Sequence, residues 1–251
     1  MKLTVTKIGL ALLLAAPAAR LLAADELPKA ETILDKYVEA TGGKAAYDKL
    51  HNIVTTGSMS FGAMGIKATV SSYHAVPNKT YTEINIEGMG KIQDGTDGTV
   101  AWSLSAMQGP HIKDGEEKAQ AMREADFRAE TDWKREYKEV KTEAVETVDG
   151  KDCYKVIMTP NTGSPATRYY DKQTFLLVKV AMTAKTPMGD IPVESVLEDY
   201  RKEGDILMPH KTTLKQGGQE FSITIDTVKY NVDIPPETFA LPAEIQALLK
   251  K

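Results

Sequence analysis

Over residues 28–40 (PKAETILDKYVEA) apolar side chains recur three and four positions apart, at Ile33, Leu34, Tyr37 and Val38. That spacing puts them on one face of a helix. Pro28 suits its first turn, and Gly42-Gly43 stops it. Residues 44–50 predict one more short helical piece. From Ile53 the period changes to two. Ile53, Gly57, Met59 and Phe61 share a face, and Thr56, Ser58 and Ser60 share the other. After a Gly-rich turn at 62–65, Ile66, Ala68 and Val70 alternate with Lys67, Thr69 and Ser71. Ile84 and Ile86 then alternate with Glu83, Asn85 and Glu87. These are half-buried strands of a meander. Asp94-Gly95 and Asp97-Gly98 read as hairpin turns, with Val100, Trp102 and Leu104 continuing the alternation.

Residues 114–127 break the β pattern. Asp114 is placed to cap, Glu116 and Glu117 fall in the first turn, and no breaker follows. The segment predicts an amphipathic helix that buries Met122 and Phe127, with a further short turn of helix before Trp133. Seven strand-like runs follow, at 138–148, 153–159, 167–171, 175–183, 193–201, 206–214 and 220–230, and a last helix is predicted at 243–250. The order of elements predicts a long antiparallel sheet with a helix or two on one face.

The first residues change the setting rather than the fold. Lys2 and Lys7 precede an apolar run, IGLALLLAA, and small residues follow at Ala18, Ala19, Ala23 and Ala24. This is the layout of a secretory signal peptide over 1–24, cut after Ala18 or Ala24. Arg20 and Asp25 end the run short of the ~20 apolar residues that a membrane span needs, which disfavours the competing reading, an anchor. Residues 25–251 are then expected to form a single domain in the periplasm. The net charge of −4, with dispersed basic residues, argues against a nucleic-acid partner. Cys153 is the only cysteine, so no internal disulfide forms, and a buried thiol is expected there.

Candidate chemistry is sparse. His51, His74, His111 and His210 are scattered without ligand spacing, so no metal or other cofactor is expected. There is no nucleophile elbow and no phosphate loop, and the carboxylates read as a solvated face. A hydrolase is therefore disfavoured, and the expectation is a protein that is not an enzyme. What stands out is apolar strand surface. Met59, Phe61, Ile66, Val70, Ile84, Ile86, Trp102, Phe221, Ile223 and Ile225, with Met122 and Phe127 of the intervening helix, are the candidate cavity lining. Two helices cover only part of such a sheet. Either it rolls up on its own side chains, or a hollow remains for a guest. Ten methionines, among them Met59, Met64, Met89, Met107 and Met122, favour an adaptable interior.

A family pattern lies mostly in the second half. It runs through Thr167-Arg168-Tyr169-Tyr170-Asp171, Thr174-Phe175-Leu176-Leu177-Val178 and Glu198-Asp199-Tyr200-Arg201, then Gly204-Asp205-Ile206-Leu207-Met208-Pro209. Tyr230-Asn231-Val232-Asp233-Ile234 and Phe239-Ala240-Leu241-Pro242 close it, and an Asp97-Gly98 turn precedes the Trp102 strand. The chain resembles the LolA-type outer-membrane lipoprotein-sorting superfamily, which includes mycobacterial lipid carriers. The resemblance implies an incomplete antiparallel β-barrel, or strongly curved sheet, with an N-terminal helix and a helical lid over bound acyl chains. The lipoprotein chaperones of that superfamily place an Arg inside the barrel, on an early strand. The matching run at 66–73 carries only Lys67, on the polar face. The expected partner is a lipid or other apolar ligand, with lipoproteins or envelope proteins as further partners, and a monomer is expected. The competing expectation is a structural or interaction module of the cell envelope with a filled interior.

Overall fold

A computed structural model describes residues 26–62, 65–186 and 189–250. The signal peptide expected at 1–24, and Met64 of the Gly-rich turn, lie outside these residues.

The alternating runs form thirteen strands of one sheet. They are β1 (Asn52–Phe61), β2 (Ile66–Ala75), β3 (Lys79–Ile86), β4 (Gly90–Thr96), β5 (Ala101–Ser105) and β6 (Gly109–Ile112). After the helical interruption come β7 (Tyr137–Val148), β8 (Lys151–Pro160), β9 (Ala166–Asp171), β10 (Leu177–Thr186), β11 (Gly189–Glu203), β12 (Ile206–Gln216) and β13 (Gln219–Tyr230). The spatial order is β6-β5-β4-β3-β2-β1-β13-β12-β11-β10-β9-β8-β7. Two antiparallel meanders, β1 to β6 and β7 to β13, therefore join along the β1–β13 pair. The sheet does not close, because β6 and β7 are its two edges.

The chain crosses from edge to edge through α3 (Gly115–Glu124) and α4 (Trp133–Glu136), while α1 (Ala30–Ala40) and α2 (Lys44–Tyr47) precede the sheet and α5 (Ala243–Leu249) follows it. Strong curvature follows from one contact. Helix α3 touches both β5 and β10. Those strands are eight steps apart in the sheet order, about 38 Å if the sheet were flat. A helix of 10 residues spans only about 15 Å. The sheet must therefore curl around it, as an incomplete barrel does.

The main core lies between α1 and the second meander. Ile33, Leu34 and Tyr37 of α1 pack on Val156, Met158, Tyr170 and Leu177, with Trp133 of α4. Tyr37 meets Tyr170 edge-on, 5.5 Å between ring centres. Cys153 is fully buried. The opposite face of the sheet has its own cover. Tyr73, Tyr81 and Gln93 there share a groove with Pro235, Ala240 and Pro242, and α5 packs against β6.

Several expectations need correction. Asp94-Gly95 is no turn; it lies inside β4. Gly95 pairs with both Tyr81 and Trp102, and a Cβ there would stand 2.5 Å from the Thr80 carbonyl oxygen. The glycine is needed for close strand approach, not for chain reversal. Strand β6, with only four residues and a proline, carried no readable alternation. Asp114 precedes α3 but makes no side-chain cap. Helix α3 buries no residue, so Met122 is only half-buried, as is Phe127 in the turn beyond it. Met89 (48% exposed) and Met107 (74%) sit outside β-strands between successive strands and fill no interior.

Candidate functional site

The concave face of the sheet and the crossover segment enclose a partly open cavity of about 410 Å³. Strand alternation selects its wall. Ile53 pairs with His74 on one side and Tyr230 on the other, so β1, β2 and β13 each present one residue. Ile206 and Met208 come from β12, Val180 and Met182 from β10, and Ala166 and Arg168 from β9. Phe127, Ala129 and Glu130 of the crossover close the space from above, and Glu116, Gln120, Arg123 and Glu124 of α3 make a polar rim. The volume lies in the range of about 300–1,000 Å³ common for small-molecule sites.

Helix α3 rests across the opening and is held at both flanks. His111 of β6 contacts Glu117 at 2.7 Å, and the Thr96 hydroxyl of β4 donates to the Met122 sulfur at 3.5 Å. Across the opening, Lys185 of β10 lies 3.7 Å from Glu116, and Arg123 donates to the Thr162 carbonyl at 3.0 Å. These are side-chain tethers on a helix without a buried residue. The segment that follows is pinned more firmly. The Arg128 guanidinium donates to the carbonyls of Tyr47, Asp48 and Leu50, and Arg135 pairs with Asp126. The His74 ring bonds the Ala125 carbonyl at 2.7 Å and meets Phe127 edge-on at 4.9 Å. Burial pushes the His74 pKa down, partly opposed by that hydrogen bond, so the neutral ring donates from Nε2.

One strong charge sits in the wall. The Arg168 side chain is 15% exposed. Its Nη1 lies 3.1 Å from Glu130 Oε2 and 3.5 Å from the Tyr170 hydroxyl, and its Nη2 donates to the Tyr137 hydroxyl at 3.2 Å. Burial pushes the Tyr170 pKa up to about 12, so this hydroxyl keeps its proton. The family resemblance drew attention to the early run at 66–73, which carries no Arg and only Lys67, and Lys67 is exposed. The position of Arg168 on β9 was legible in one signal: Ala166, Arg168 and Tyr170 share a parity, so the charge stands on the side of a buried aromatic.

Of the twelve residues proposed from the sequence, Phe127 lines this cavity. Met122 faces a second hollow, beside Val76 and Pro77. Met59, Phe61, Ile66, Val70, Ile84, Ile86, Phe221, Ile223 and Ile225 occupy the same concave face, farther along the strands. Phe61 meets Phe221 edge-on at 5.2 Å, Met59 pairs with Ile223, Gly57 with Ile225, and Val70 with Ile84. They extend the apolar floor beyond the cavity and are half-buried, except Ile86, which is buried. Trp102 is on the opposite face. It pairs with Gly95, has the Tyr81 ring 6.3 Å away and is 1% exposed. One parity step in β5 separates the two faces, and Ala101, paired with Thr96, takes the concave side.

No family model matches the sequence, and no curated protein is similar to it in sequence. Solved structures are similar in fold. A LolA superfamily protein from Nitrosomonas europaea matches with a TM-score of 0.55 at 14% identity, over 86% of this chain and 99% of its own. A DUF1329 family protein from Desulfovibrio piger matches with 0.54 at 16% identity, over 84% and 96%. A domain named for outer membrane lipoprotein sorting, from Vibrio parahaemolyticus, matches with 0.53 at 12% identity, over 88% and 100%. The open thirteen-strand sheet, curled around a crossover helix, is thus similar in fold to the solved LolA superfamily protein and to the domain named for lipoprotein sorting.

Proposed function

We propose that this protein binds a lipid-like apolar ligand in the cavity under α3 and carries or senses it in the bacterial envelope, without making or breaking bonds. The observation that carries the reading is a cavity of about 410 Å³ with Ile53, Phe127, Val180, Met182, Ile206 and Met208 in its wall, roofed by a helix without a fully buried residue. Burying methylenes yields ~0.8 kcal/mol each, so a long chain is held with few polar contacts. Helix α3 is the lid, and its side-chain tethers are the contacts that break when ligand enters. The apolar floor from Met59 and Phe61 to Phe221 and Ile223 extends the space available to a long chain once the lid lifts. The signal-peptide pattern at 1–24 supports a periplasmic location, and the fold shared with a domain named for lipoprotein sorting supports a lipid cargo. Native mass spectrometry after gentle purification is expected to show co-purified lipid, and the stripped protein to take up a fluorescent fatty acid. A protein that arrives empty and takes up no fatty acid would rule the reading out.

A further inference from the structure

We propose that the ligand is a long-chain carboxylate whose head takes the place of Glu130 on Arg168. The inference rests on the cavity being a site for a lipid-like ligand, and it names the head group.

Arg168 is a permanent cation on a strand face that otherwise packs apolar and aromatic side chains. A desolvated guanidinium needs an anion beside it. Among the described residues, Glu130 is the carboxylate paired with it, through a single oxygen at 3.1 Å. A guanidinium fork accepts a carboxylate through two parallel bonds, so this pair leaves binding capacity unused. Glu130 is also the replaceable member. It belongs to the crossover rather than the sheet, and its side chain is 39% exposed against 15% for Arg168. The Tyr137 and Tyr170 hydroxyls complete a polar niche around the guanidinium, and the protonated Tyr170 has a hydrogen to give an incoming oxygen.

The remaining charged groups of the wall point to the same place. Glu116 and Glu124 on the α3 rim repel an anion. Lys185 is shared between Glu116 and Asp190, and Arg123 is spent on the Thr162 carbonyl. His74 is neutral and bonded to Ala125. Arg168 is therefore the buried cation that an anionic head meets, with Val180 and Met182 beside it for the chain. Glu130 and the ligand head exclude one another, so filling the site releases one contact between crossover and sheet.

The test uses stripped protein at pH 8, with palmitate and hexadecanol, which share a chain length, displacing an uncharged naphthylamine dye. Palmitate is expected to bind more tightly than hexadecanol. Glu130→Gln removes the internal competitor and should tighten palmitate about tenfold, as loss of one charged hydrogen-bond rival predicts, and shift hexadecanol by much less, so that the preference for the acid widens. Arg168→Gln should abolish the preference and Arg168→Lys retain part of it. Should Arg168→Gln fail to fold, Glu130→Gln decides alone. Equal binding of acid and alcohol, or weaker palmitate binding to Glu130→Gln, overturns the carboxylate while leaving a lipid site. If neither compound displaces the dye from the wild-type protein, the site itself is wrong and the head group goes with it.

Discussion

His74 is held neutral by its surroundings, and that makes one residue sensitive to mild acid. Its pKa is pushed below the ordinary 6.5 by burial, and the bond to Ala125 restores only part. In the unfolded chain the ring takes up a proton as pH falls past about 6.5, whereas the folded ring does not. The unfolded state then binds more protons, so stability is full above pH 6.5 and declines below it, until the folded ring also titrates. Urea midpoints are expected to drop between pH 7.5 and pH 5.5, and His74→Gln should flatten the part of that slope that His74 causes. A variant with the wild-type slope would show that the ring is not held neutral. Other single residues were readable to different degrees. Cys153 was expected to be buried from its residue type, and it is, although Lys151 and Lys155 share its parity on β8. Trp102 was misplaced because a run of five residues, β5, gives too few alternations to decide which parity faces which side.

At the scale of elements, α3 is the lid of the proposed ligand site. Its polar residues, the absence of buried ones and its tethers on β4, β6 and β10 describe a piece laid over an opening rather than built into a core. Thr96 and Met122 approach to 3.5 Å between side chains. Replacing both with Cys and bridging the thiols with a short bis-maleimide should tie α3 to β4, since a cysteine reaches less far than the methionine it replaces and a direct disulfide needs closer Cβ atoms. The cross-linked double variant is expected to lose fatty-acid uptake, and the variant without the linker to keep it; uptake by the locked form would refute α3 as the lid. The helix itself was legible, because the period changes from two to 3.6 over residues 114–127. What it covers was not, because α3 follows the first meander and meets β10 only after five further connections of chain. All seven strands of the second meander were legible as well, since each repeats its alternation over enough residues to stand out between Gly, Pro, Asp and Asn clusters.

The whole molecule depends on one seam. The β1–β13 pair is the single join between two meanders that are otherwise locally connected. Its register shifts at Thr56 and Gly57, and a Cβ at Gly57 would run into the Thr224 carbonyl oxygen. Gly57→Ala must push the strands apart where the register shifts, and crowding of this kind costs about 1–3 kcal/mol. A lowered urea midpoint with retained β-type circular dichroism is the expected outcome, and an unchanged midpoint would show that the seam is more compliant than its geometry. The seam joins residues some 170 positions apart, Ser58 with Thr224 for one, so no local pattern announces it. Closing that loop is an entropic charge that only the assembled sheet offsets.

The amino-acid sequence alone determined the elements: where the period is two, where it is 3.6, and which residues on a strand share a side. It did so because side-chain alternation and helical spacing are local properties of the backbone. Which side is concave, how far the sheet curls and which charge ends up in the wall were decided only by tertiary structure. Arg168 shows the difference. Its parity is written in three residues of β9, but its meaning comes from Glu130, which lies 38 positions earlier and arrives only when the crossover closes over the sheet.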